Sequence, residues 1–96
     1  MSIVSIVMAT YNGSDHISEQ LQSILDQTYR DFEIIIIDDC SHDSTTEIIK
    51  KTFYERGFTN YRIEVNKSNI GVTKAFERGI VESKGNYIAI SDQDDI

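Results

Sequence analysis

Three carboxylates close this chain within four positions: Asp92, Asp94 and Asp95, in the run Ser91-Asp92-Gln93-Asp94-Asp95-Ile96. Two unit charges about 4 Å apart repel by on the order of 4 kcal/mol at an effective dielectric near 20. Such a group persists if its pKa values rise, if water surrounds it as in a solvated acidic tail, or if a divalent cation sits among the oxygens. A second acidic pair, Asp38-Asp39, follows the unbroken isoleucines Ile34 to Ile37. A third polar cluster, Thr10-Tyr11-Asn12-Gly13, comes soon after the apolar run Ile3-Val4-Ser5-Ile6-Val7-Met8. Each cluster lies just past an apolar stretch of strand length. A charged tail does not explain that shared placement.

The elements that must position these clusters alternate. Ile3 to Met8 is β-branched and short, which predicts a buried strand. Ser14 or Asp15 caps a first helix that sets Ile17, Leu21, Ile24 and Leu25 on one face and ends near Gln27 or Thr28. Phe32 to Ile37 is the second strand, and its lack of apolar–polar alternation is that of a strand covered on both faces. Ser44-Thr45-Thr46-Glu47 has a capping-box pattern opening a second helix, with Ile48, Ile49, Thr52 and Phe53 inward and Gly57 as its stop. Tyr61 to Val65 alternates more and so belongs nearer an edge. A third helix starts near Gly71 or Val72, burying Val72, Ala75, Phe76 and Ile80, with Gly79 marking close packing on the sheet. Gly85 closes it, and Asn86 to Ser91 forms the fourth strand.

Strand–helix alternation at this spacing predicts an α/β fold with an open, mainly parallel sheet and helices on both faces. Ligands in such sheets bind at the carboxyl ends of the strands, where the winding reverses. With strand order 3-2-1-4, the three polar clusters converge on one crevice.

Composition narrows the ligand. The 96 residues make one small domain or part of a larger one, and a net charge of −7 argues against a nucleic acid backbone as partner. A phosphorylated ligand would be repelled unless a cation or helix N-termini compensated. One cysteine, Cys40, excludes an internal disulfide and fits a reducing compartment. There is no signal-peptide pattern or apolar run of membrane-spanning length, so the expectation is cytoplasmic, with peripheral membrane attachment through residues outside this stretch left open. The first loop has neither a Gly-rich dinucleotide fingerprint nor a phosphate-binding Gly-Lys-Ser/Thr, and no serine sits in a nucleophile elbow. Cys40 and His42 make half a zinc site at most, and His16 fits an exposed place in the first helix turn.

With these residues in order, the chain resembles the family 2 glycosyltransferases, which have the GT-A fold and use nucleotide-sugar donors. The resemblance is carried by Val4-Ser5-Ile6-Val7-Met8-Ala9-Thr10-Tyr11-Asn12-Gly13, Leu25-Asp26-Gln27-Thr28-Tyr29-Arg30-Asp31-Phe32-Glu33-Ile34, and Ile37-Asp38-Asp39-Cys40-Ser41-His42-Asp43-Ser44-Thr45. Asn69-Ile70-Gly71 and Ser91-Asp92-Gln93-Asp94-Asp95 complete it. The Ser-Asp-Gln-Asp-Asp-Ile ending is similar to rhamnosyltransferase and capsule-type members.

The resemblance implies a role for each cluster. Tyr11 would lie against the donor base, with Thr10 and Asn12 shaping that pocket. Asp39 would accept the ring N–H of uracil or thymine, while Asp38 braces the loop or approaches the ribose. Asp92, Asp94 and Asp95 would be a DXD-type motif holding Mn²⁺ or Mg²⁺ against the donor diphosphate, with Asp94 and Asp95 the first choices as ligands. Lys74 would reach a phosphate or stay solvated. Many members carry Ala-Arg-Asn before the helix glycine, where this chain has Ala75-Phe76-Glu77. Members of the family also continue past the acidic motif, so residues 1–96 correspond to a nucleotide-sugar-binding half and the general base is expected beyond residue 96. The implied activity is inverting transfer from a UDP- or dTDP-sugar to a saccharide or lipid-linked acceptor. Two other readings of the same architecture are a metal-dependent sugar nucleotidyltransferase and a non-catalytic nucleotide-binding or interaction domain. The first would want a Gly- and Arg-rich loop in place of Thr10 to Gly13; a receiver-like module would want its acceptor aspartate after the third strand.

Overall fold

In the computed structural model, which describes residues 4–27, 32–82 and 87–92, strands and helices alternate without exception. They are β1 (Val4–Thr10), α1 (Ile17–Gln27), β2 (Phe32–Asp38), α2 (Thr45–Arg56), β3 (Tyr61–Val65), α3 (Val72–Glu82) and β4 (Tyr87–Asp92). The four strands form one sheet in the order β3-β2-β1-β4, every neighbouring pair parallel. The register places Thr10 beside Asp38, Asp38 beside Val65, and Ala9 beside Asp92. The ends of all four strands therefore finish at nearly one level.

Alternate residues of each strand feed opposite faces. Ile6, Met8, Ile34 and Ile36 pack with Ile17 and Leu21 of α1 and with Ile49 and Phe53 of α2. Ala9, Ile35 and Ile37 pack with Ala75 of α3 on the other side. All four isoleucines of β2 are wholly buried, which is why that strand shows no alternation. An aromatic cluster of Phe32, Phe53, Phe58 and Tyr61 closes the corner between α2 and β3, with the Phe53 and Tyr61 rings 4.2 Å apart. That corner lies at the amino ends of β2 and β3, opposite the polar clusters. Gly79 meets the sheet as closely as its type suggests: a Cβ there would fall 2.3 Å from Cγ1 of Val7.

The structure corrects three local expectations. Regular α1 begins at Ile17, after a turn in which the Gly13 carbonyl accepts from the His16 and Ile17 amides, so neither Ser14 nor Asp15 is its cap residue. Ser44 is the N-cap of α2, but its side chain makes no capping bond; the Asp43 carboxylate accepts from the Thr45 amide at 3.0 Å instead. Ile80 is 37 % exposed rather than inward, because α3 rests on the sheet through Ala75 and Gly79 with Phe76 partly buried. Thr28, Gly85, Asn86, Asp94 and Asp95, each given a place above, lie outside the described residues.

Candidate functional site

At the carboxyl end of β2 the two acidic side chains part company. Asp38 is fully buried. Its Oδ1 accepts from the Thr10 hydroxyl at 2.7 Å and the Ser41 hydroxyl at 2.6 Å, and its Oδ2 accepts from the Ser41 amide at 2.8 Å. A carboxylate removed from water needs such donors to remain affordable. Asp38 thus braces β1 and its own loop, one of the two roles considered for it.

Asp39, only 3 % exposed, turns toward the connection between β3 and α3. Its Oδ1 accepts from the Ile70 amide at 2.8 Å and the Asn66 side-chain amide at 3.0 Å. Its Oδ2 accepts from the Gly71 amide at 2.9 Å. Burial pushes the Asp39 pKa upward, but the bonds from Ile70, Asn66 and Gly71 outweigh it and hold the carboxyl below its ordinary value. The carboxylate also sits at the start of α3, where the helix dipole favours negative charge. Of roughly four lone-pair positions on a carboxylate, three are taken by the protein. Among the described residues, one acceptor position on Oδ2 takes no bond.

The loops after β1 and β2 are fastened to each other. The Asn12 amide donates to the Ser41 hydroxyl at 2.8 Å, and Asn12 Oδ1 accepts from the His42 amide at 2.7 Å. The Gly13 amide donates to Thr45 Oγ1 at 2.9 Å and the Ser14 amide to Asp43 Oδ2 at 3.1 Å. Burial raises the Asp43 pKa, yet the hydroxyl and amide groups of Thr45 and Ser14 overcome it and bring the carboxyl down to about 2. Asn12 and Cys40 both hold left-handed backbone, at φ 48° and 66°, a conformation side-chain-bearing residues adopt at some cost. Tyr11, 40 % exposed, stands on this fastened frame with its ring accessible.

Of the residues picked out by type and spacing, Thr10, Tyr11, Asn12, Asp38 and Asp39 gather at one end of two adjacent strands. The backbone of Asp92 ends β4 beside Ala9, one register step below Thr10 and on the other side of β1 from Asp38. Lys74 is exposed in the first turn of α3. Among the described residues no three His, Cys, Asp or Glu side chains come together as a cation cage. Sequence reasoning overlooked Ser41 and Thr45, which fix the loops, and Asn66, which fixes Asp39. Their signal was a density of short polar side chains straight after strands, the composition of loops that bond their own backbone. Among the described residues no helix is long and apolar enough to cross a membrane.

Comparison with known proteins agrees with this geometry. The family model described as glycosyl transferase family 2 matches residues 5–96. An Escherichia coli protein, the UDP-Glc:alpha-D-GlcNAc-diphosphoundecaprenol beta-1,3-glucosyltransferase WfaP, is 41 % identical over 97 residues, which is 99 % of this chain and 36 % of that protein. Among solved structures, S. aureus TarS in complex with UDP-GlcNAc is 29 % identical with a TM-score of 0.85, over 98 % of this chain and 27 % of its own. The mannosyltransferase PcManGT of Pyrobaculum calidifontis, solved with GDP-Man and Mn²⁺, shares the fold at a TM-score of 0.88 and 22 % identity, covering 95 % of this chain and 27 % of that one. The chain spans about a third of the length of the curated relatives it matches. By the match of its sequence from Ser5 onward, and by a parallel sheet whose polar clusters meet at one end, this chain belongs to glycosyl transferase family 2.

Proposed function

We propose that this chain supplies the donor-nucleotide site of an inverting glycosyltransferase, which moves a sugar from a UDP- or dTDP-sugar to an acceptor hydroxyl in glycan synthesis. The observation that carries it is Asp39: a buried carboxylate, held ionised, with one acceptor position left over, at the end of the sheet where the Tyr11 loop also lies. The ring N–H of uracil or thymine fits that vacancy; cytosine presents a lone pair at the same place and is repelled. Tyr11 offers the flat face on which any nucleobase stacks, a contact worth about 1–3 kcal/mol. Thr10 and Asn12 act indirectly, by keeping the Tyr11 loop against the β2 loop.

Asp92, Asp94 and Asp95 would hold Mn²⁺ or Mg²⁺, since carboxylate oxygens are the ligands both ions prefer and the backbone of Asp92 ends β4 at the same end of the sheet. Bound there, the cation would neutralise the donor diphosphate and stabilise it as it leaves. Lys74 adds a cation on the α3 side. The acceptor, saccharide or lipid-linked, and the carboxylate that deprotonates it belong to parts of the protein outside these residues. WfaP and TarS support a UDP-sugar donor by their names, and PcManGT supports the metal. The single cysteine supports a cytoplasmic setting.

Titration calorimetry of the intact protein with UDP, with and without Mn²⁺, tests this reading. Binding that strengthens with Mn²⁺ is expected, lost in Asp39→Ala and made metal-independent and weak in Asp94→Ala. No heat from well-folded protein in either condition would overturn it.

A further inference from the structure

A relay of side chains runs from the surface of α3 to the base-recognising carboxylate. Arg78 Nη2 pairs with Oε1 of Glu64 on β3 at 2.5 Å, while Arg78 Nη1 donates to Oδ1 of Asn66. Asn66 is 5 % exposed, and its Nδ2 donates to Asp39. We propose that Arg78 is a positioning residue for Asp39, acting through the Asn66 amide to set which nucleobase the donor site accepts. The inference rests on the donor-nucleotide reading given above.

The argument lies in the amide. An asparagine side chain has one acceptor end and one donor end. A guanidinium offers only donors, and a carboxylate only acceptors. Between Arg78 and Asp39 a single orientation satisfies both neighbours, with oxygen toward Arg78 and nitrogen toward Asp39. The Asn66 main chain is pinned too, its amide donating to the Asp38 carbonyl at 2.8 Å. Glu64 holds the guanidinium from the other side, leaving the fork little freedom. Without Arg78 the amide oxygen loses its charged donor, and the Asn66 side chain is held only by its bond to Asp39. The Asn66 donor to Oδ1 is then less firmly placed, while the Ile70 and Gly71 amides remain. The carboxylate can rotate about those two bonds, and the Oδ2 lone pair no longer faces one fixed direction.

The rival role for Arg78 is an ordinary ion pair with Glu64. The two side chains are 39 % and 27 % exposed. A pair that open to water contributes little stability, so losing it alone would leave nucleotide recognition untouched. Selectivity separates the two roles.

The experiment compares UDP and CDP affinities of the intact protein in Mn²⁺ for the wild type, Arg78→Met, Arg78→Lys and Asn66→Asp, with melting temperatures alongside. Met keeps the apolar stem of the arginine and removes its donors. Arg56→Ala, which breaks the surface pair with Asp26 far from the site, is the control for a lost ion pair. The expected result is a preference for UDP over CDP that narrows about tenfold in Arg78→Met, with a melting temperature close to that of Arg56→Ala. Lys, with a donor that reaches the amide oxygen, restores part of the preference. Asn66→Asp sets a second negative oxygen against Asp39 and loses the preference as well, which gives an independent reading should Arg78→Met fold poorly. Unchanged preference in Arg78→Met and Asn66→Asp, or equal weakening toward both nucleotides, overturns the inference and leaves the donor site standing. A wild type that binds neither nucleotide overturns the donor reading, and the inference with it.

Discussion

Adjacent identical residues, Asp38 and Asp39, do different work because Asp38 ends β2 while Asp39 begins the loop after it, so their side chains meet different segments. Asp38 is enclosed by Thr10 and Ser41, and Asp39 by the β3–α3 connection. Thr10 shows what this means for a residue singled out as part of a nucleotide pocket. Its hydroxyl is buried and spent on Asp38, so its first effect is on stability. Thr10→Val, equal in shape but without the donor, should cost about 1–3 kcal/mol in urea unfolding, with UDP affinity following only as far as the loop loosens. That Asp38-Asp39 mattered was legible in the sequence, since two carboxylates after an apolar run need an explanation. Which of them meets the β3–α3 connection was not legible from the residues alone. The answer depends on Asn66, Ile70 and Gly71, about 30 positions along the chain, whose donors meet Asp39 only once β3 lies beside β2.

The elements themselves were readable wherever burial and periodicity agreed. β2 is the clearest case: four isoleucines without alternation required cover on both faces, and α1 and α2 on one side and α3 on the other provide it. The glycine in α3 was equally informative, because a residue that weakens a helix is tolerated where the helix must lie close on the side chains of a sheet. Gly79→Ala should gain about 1 kcal/mol of helix propensity and lose more, since the added methyl would meet Val7 at 2.3 Å and Val7 is fully buried in the sheet. A net loss of about 1–2 kcal/mol in chemical denaturation is expected, with α3 displaced from the sheet. Helix ends were less readable. Several short polar residues compete for the orphan amides at the start of α2, and Asp43 takes the role because it also bonds across to Ser14 of the preceding loop. Only the tertiary fold brings that second partner within reach.

For the molecule as a whole, the placement of acidic groups governs its response to pH. Asp39 and Asp43 both have pKa values below the ordinary carboxylate value of 3.8, Asp43 at about 2. A depressed folded-state pKa contributes stability that is present above the unfolded value and is lost as pH falls through the folded one. Melting temperature should therefore fall between about pH 4 and pH 2, and Asp43→Asn, already without that charge, should show a shallower fall over the same window. Whole-molecule architecture was the most legible level, since a repeated strand–helix order with polar clusters after the strands leaves few arrangements. The mutual fastening of the first two loops escaped notice, because it consists of small side chains bonding to main-chain amides of another segment. That fastening bears on kinetics. A loop that must settle before it can hold a ligand inserts a slow step between collision and capture. On the proposed donor-site reading, the frame carrying Tyr11 is tied down in advance, so the speed of nucleotide uptake would fall to diffusion and to the field of a chain with net charge −7, and loop motion would have little part in it.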